Sequence, residues 1–266
     1  MIRKHNKVNC IRENKNEGDY GRSVPYIIGF VALFVAQIVS SSIFLKVEVP
    51  KPSKKSLAMK ATCSTIFVLT AILSMFCANN FTGYAWLVLL GLCISWVGDF
   101  VLHYNTNENF FVAGIITFLL GHICYIIAFM RVQNMYFPEA PFLSIAEAVL
   151  LIGGVCFGQC RLHMLKADYG KAFIPCTIYM NVIMVMFVKA ITLSIHFMKE
   201  SPIENGLLTG IILAVGVCMF DVSDFTLALL RFTPLYSKSY GMRKLNVWTY
   251  FFAQMCLGLT ILNVAV

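Results

Sequence analysis

An all-α membrane protein, a single bundle of about eight transmembrane helices, is the fold class that this 266-residue sequence predicts. Hydrophobic side chains make up 59% of it and charged ones only 13%, about half the charged share of a soluble domain. The apolar residues gather into stretches of about 20, the length of helix that crosses roughly 30 Å of hydrocarbon. Short joints holding Pro, Gly, Asn or Lys separate them.

The first apolar segment runs from Pro25 to Leu45 and the second from Met59 to Ala78, with the basic stretch EVPKPSKKS between them. A third, Tyr84 to Leu102, ends in SWVGDFVLH, and a fourth covers Phe110 to Met130. The fifth, Pro141 to Phe157, is the shortest and carries Glu147, which would suit a helix lying partly in the interface. The sixth spans Phe173 to Ile195, the seventh Gly206 to Leu230 and the eighth Val247 to Val264. Ahead of them, residues 1–24 form a polar, charged tail, expected to be disordered. No short apolar core with a small-residue cleavage site follows its basic residues, so it does not read as a signal peptide. The domain organisation is therefore a tail over 1–24 and one transmembrane domain over 25–266.

The net charge of +8 is unevenly placed. Basic side chains cluster in alternate joints: Lys46 to Lys60, Arg161 to Lys171, and Arg231 to Lys244. By the positive-inside rule that face is cytoplasmic, which sends both termini to the other side, whereas the six basic residues of the tail pull the opposite way. Orientation stays open at this level. The charge reads as topology and attraction to anionic lipid, and nucleic acid is not an expected partner. Most of the ten cysteines fall inside apolar segments and no CxxC occurs, so neither disulfides nor a cysteine zinc site is expected.

Function is sought at Asp99, Asp221 and Asp224, carboxylates set in stretches otherwise fit for lipid. An ionisable group at such a depth costs about 3 kcal/mol or more unless it faces a protein interior or a wet cavity. Asp99 and His103 share a helical face, although a histidine at a span's end can simply reach for water. His122 and Tyr125 lie three residues apart on the fourth segment, with Gly114 and Gly121 forming a small-residue stripe beside them. Asp221 and Asp224 are spaced i, i+3, and two carboxylates crowded in low dielectric cannot both ionise easily, which is a recipe for a general acid. Tyr179, Asn181 and Lys189 on the sixth segment, and Tyr250 and Gln254 on the eighth, are further polar candidates. Lys189 would suit either a buried carboxylate or a lipid headgroup. No GxSxG, HExxH, HxxxH, P-loop or GxGxxG occurs, so the sequence names no cofactor and no metal site.

Four stretches in register, GDFVLH (98–103), FVAGIITFLLGHICY (111–125), GVCMFDVSDFTLALLRF (216–232) and YFFAQ (250–254), resemble the YhhN-type lysoplasmalogenases. That resemblance implies a multi-pass hydrolase of the endoplasmic reticulum or another endomembrane. It would cleave the vinyl ether bond of lysoplasmenyl ethanolamine or choline lipids to a fatty aldehyde and the glycerophospho-headgroup. The partners implied are the lysophospholipid and the bilayer. By matching position, the family's GD aspartate is Asp99, its GH histidine His122, its SD aspartate Asp224, and its late tyrosine and glutamine Tyr250 and Gln254. Asp221 stands where many members carry a less acidic residue.

The chemistry agrees with the residues. A vinyl ether resists nucleophiles but yields to protonation at its β-carbon, so the catalyst needs a protonated acid and a carboxylate to steady the cation and deprotonate water. Asp224 is the expected proton donor and Asp99 its partner, with His122, Tyr125, Asp221, Tyr179, Tyr250 and Gln254 as orienting or substrate-binding residues. A phosphate would lie near Arg231. Rival classes are a proton-coupled transporter, a metal-dependent lipid hydrolase using Asp99, His103, His122 and Asp224, and a receptor whose polar groups only fasten helices.

Overall fold

The computed structural model describes residues 20–48, 53–103, 108–200 and 202–266, with backbone alone at 20–24 and 108. Eight long helices run through them: α1 (Tyr20–Glu48), α2 (Lys54–Cys77), α3 (Gly83–His103), α4 (Glu108–Tyr136), α5 (Ile145–Met164), α6 (Phe173–Glu200), α7 (Gly206–Phe232) and α8 (Tyr240–Leu259). Each contains a stretch long and apolar enough to cross a membrane, and no strand occurs among the described residues. The expected tail lies, up to residue 19, outside the described residues; from Tyr20 the backbone is already helical.

Hydrogen-bonding residues at the ends, more than apolarity, decide where the helices begin. Ser53 accepts from the backbone of Ser56, which returns the bond, and so opens α2. Ser144 and Glu147 make the same reciprocal box at α5. The fifth segment is therefore not Pro141 to Phe157: Pro141 precedes the cap, and the helix continues past Phe157 to Met164 through residues too polar for a hydropathy criterion. Likewise Ser239 accepts from the Met242 backbone and starts α8 at Tyr240, two turns ahead of the apolar stretch.

Packing makes a closed ring. α2 packs on α3, α3 on α4, α4 on α6, α6 on α7, α7 on α8, and α8 back on α2. α1 lies outside the ring against α2 and α8, and α5 lies outside it against α6. Buried aromatic side chains, among them Phe67, Tyr84, Tyr125, Phe129, Phe220 and Phe251, fill the ring's interior. α3 and α4 approach closely because they cross on glycine. A Cβ at Gly91 would sit 2.4 Å from the Tyr125 ring, and one at Gly121 would sit 3.2 Å from the Gly91 carbonyl.

The two ends of the ring differ. At one, Asn80 donates to the Ile261 and Val264 carbonyls at 2.7 and 2.6 Å, so the chain after α8 is fastened to the α2–α3 joint. At the other, Glu48 and Ser53 on either side of the α1–α2 joint, His103 at the end of α3, and Ser237 and Lys238 of the α7–α8 joint line the opening of a cavity. The Asp168 backbone N–H, between α5 and α6, donates to Phe232 O at that same end. The alternate joints rich in Lys and Arg therefore share one end, as the sequence predicts.

Candidate active site

A cavity of about 1060 Å³ enters the ring from the basic end and is lined by α1, α2, α3, α4, α6, α7 and α8. Its apolar lining is Phe44, Leu102, Phe118, Leu227, Leu230, Val247 and Phe251, and both Asp99 and Asp224 line it too.

Asp99, on α3, is only 2% exposed. A carboxylate buried so far must be paired and hydrogen-bonded, since the loss of water costs several kcal/mol in order of magnitude. Its partners come from two neighbouring helices. On α2, Ser64 donates to Oδ2 at 2.5 Å and Lys60 Nζ stands 3.2 Å from Oδ1. On α8, the Tyr250 hydroxyl donates to Oδ2 at 3.0 Å. Lys60 and Ser64 are one turn apart, so one face of α2 supplies both the charge and the hydroxyl.

Asp224, on α7, is held by a second set. The Tyr179 hydroxyl of α6 donates to its Oδ2, and His122 Nε2 of α4 lies 3.0 Å from that hydroxyl and 3.7 Å from Oδ2. With the tyrosine proton committed to Asp224, the imidazole Nε2–H is the donor to the tyrosine oxygen. This makes a chain of three groups from three helices. Phe220 lies between the two sets, its ring 5.0 Å from that of His122 and 5.9 Å from that of Tyr250.

The remaining candidates divide. Tyr179 and Tyr250 line the cavity. Tyr125 donates to Gln254 Oε1 at 2.9 Å, both are fully buried, and neither lines the cavity. Asp221 sits one turn before Asp224 but outside the lining, because the cavity face of α7 runs through Ser223, Asp224, Leu227, Leu230 and Arg231. His103 does not reach for water: its Nε2 lies 3.1 Å from Ser56 Oγ and 3.2 Å from Ser53 O, tying the end of α3 to the cap of α2. Glu147 does not mark an interfacial helix. It is 2% exposed and pairs with Lys189 at 3.0 Å, while Lys189 also donates to Phe142 O, so α5 is pinned to α6 away from the cavity.

Lys60 and Ser64 are the residues that sequence reasoning passes over. Lys60 looks like one more boundary lysine of the basic joint, and the only signal otherwise is the serine one turn further in. Among the described residues no three His, Cys, Asp or Glu side chains converge as metal ligands: His122 and Asp224 meet, while Asp99 and His103 are each held by other partners.

A ring of membrane-spanning helices around a chamber with two held carboxylates defines a multi-pass membrane protein with a polar intramembrane site. The profile of the YhhN family matches residues 56–261, and the chain belongs to that family. It is 28% identical over 207 residues to the lysoplasmalogenase homolog of Dictyostelium discoideum, a match covering 69% of this chain. The chain spans 65% of that relative's length. No solved structure matches the chain.

Proposed function

We propose that the protein is a membrane hydrolase that cleaves the vinyl ether bond of lysoplasmalogens by carboxyl acid and base catalysis. One observation carries this reading: two carboxylates from different helices line a single cavity whose walls also include Phe44, Leu102, Phe118, Leu227, Val247 and Phe251. Similarity to a relative named a lysoplasmalogenase homolog supports the substrate class.

In this scheme Asp224 donates a proton to the β-carbon of the alkenyl chain, and the positive charge passes to the α-carbon and ether oxygen as an oxocarbenium ion. Asp99, which accepts from Ser64 and Tyr250 and pairs with Lys60, is the standing anion. It steadies the cation and takes a proton from the water that adds to the α-carbon. The hemiacetal so formed collapses as protonated Asp99 gives its proton to the departing glycerol oxygen and Asp224 takes the proton of the hemiacetal hydroxyl, which leaves a fatty aldehyde and an alcohol and restores both carboxyl groups. His122, through Tyr179, orients the Asp224 carboxyl for both transfers. Tyr125 and Gln254 act at one remove, by fixing α4 against α8 behind Tyr250. An endomembrane location, the endoplasmic reticulum included, accompanies this reading on the strength of the family resemblance.

The test is aldehyde release from a defined lysoplasmenyl ethanolamine by purified protein. Asp99→Asn and Asp224→Asn are each expected to lower kcat by about a hundredfold to ten-thousandfold. Wild-type turnover in both folded variants overturns the scheme.

A further inference from the structure

We propose that the basic mouth of the cavity is a phosphate site that binds a glycerophospholipid headgroup and sets the depth to which the substrate enters. The inference rests on the lysophospholipid reading above and deepens it.

The mouth is cationic by construction. Lys54 of α2, Arg231 of α7, Lys238 of the α7–α8 joint and Arg243 of α8 line it, against the single rim carboxylate Glu48 among the described residues. Two of these cations have fixed positions. Arg231 lies over the Phe111 ring, 4.7 Å from its centre, and Arg243 Nη1 is 3.4 Å from Glu48 Oε1. The N-termini of α2 and α8 open at the same mouth and add their partial positive charge, which favours an anion. Arginine and lysine with helix N-termini at the rim of a cavity suit a phosphate more than any neutral headgroup.

Spacing along the helices makes the site a ruler. Arg231 lies seven residues from Asp224, Arg243 seven from Tyr250, and Lys54 six from Lys60. At the rise of an α-helix each interval is about 10 Å, roughly the extended length of the seven bonds from phosphorus to the vinyl ether β-carbon. A phosphate seated at the mouth thus delivers that carbon to the level of the two carboxylates. A lipid without phosphate has nothing to stop it at that depth.

Binding to the full-length purified protein in detergent tests this without turnover. The probes are an ester-linked lysophosphatidylethanolamine, which has no vinyl ether to cleave, and the monoacylglycerol of the same chain, which has no phosphate. The Lys238→Ala/Arg243→Ala variant is expected to bind the lysophospholipid at least tenfold more weakly and the monoacylglycerol unchanged, with Lys199→Ala at the opposite end affecting neither. With the wild-type protein, raised salt is expected to weaken lysophospholipid binding alone. Equal affinities for the two lipids, or equal responses to the substitutions and to salt, overturn the proposal. Displacement by glycerophosphoethanolamine at lower concentration than by inorganic phosphate assigns the site to a lipid headgroup; equal displacement overturns that assignment in favour of free anion. Because the probe is not a substrate, failure to release aldehyde and failure to bind phosphate are separate results.

Discussion

Asp99 is surrounded by three donors, and that arrangement predicts how its neighbours behave when removed. Lys60→Met leaves the carboxylate buried with one partner fewer, a loss of about 3 kcal/mol or more for a broken buried pair. Its thermal midpoint is expected to fall along with kcat, and Lys60→Arg to recover part of both. Ser64→Ala keeps the charge pair and removes one hydroxyl, so a smaller loss of about 1.5 to 3 kcal/mol is expected. A denaturation series in which Ser64→Ala loses more stability than Lys60→Met contradicts this order. The aspartates themselves were legible in the sequence, because charge inside an apolar run has few harmless explanations. Lys60 was not, because a lysine near a span boundary is what topology alone would put there. Asp221 shows the limit of periodicity. The i, i+3 spacing correctly sets it beside Asp224 on the helix, but the cavity meets α7 along a face that includes only Asp224.

At the level of helices, the pattern of apolar segments fixed their number but not their ends, since α5 starts at a serine cap inside its apolar segment and α8 at one well ahead of its own. The α5 cap also explains Glu147, whose carboxylate serves the helix start and Lys189 together. Glu147→Gln is expected to destabilise the protein by about 3 to 5 kcal/mol, because the Lys189 charge stays buried without its counter-ion. Adding Lys189→Met should restore much of that loss. Activity per folded molecule is expected to stay at the wild-type level throughout, since the pair lies away from the cavity; a drop in kcat with the midpoint restored would refute that separation. The α3–α4 crossing is more tightly built. Gly91→Ala drives a methyl into the Tyr125 ring, an overpacking expected to cost about 1 to 3 kcal/mol and to disturb the Tyr125–Gln254 bond behind Tyr250.

Across the molecule, the ring opens at its basic end, which the positive-inside rule, applied to the joints, predicts to be cytosolic. Ser237→Cys, at the rim, is therefore expected to react with a membrane-impermeant maleimide applied from the cytosolic side of sealed vesicles. Labelling only from the other side would reverse the orientation. Sequence alone could not decide this, because basic joints and a basic tail compete and no local rule weighs one against the other. The proposed chemistry has its own whole-molecule signature. In heavy-oxygen water the glycerophospho-alcohol released should stay unlabelled by mass spectrometry, because water adds to the α-carbon of the alkenyl chain, whereas attack of water on the glycerol carbon would put the heavy oxygen into that alcohol. The cavity's lining carries a last consequence. Under the proposed chemistry, the apolar residues beside the carboxylates and the charged residues of the rim would sort the two fragments of a cut lipid, the phosphate-bearing alcohol being drawn out into water while the aldehyde chain stays among Phe and Leu side chains until it follows.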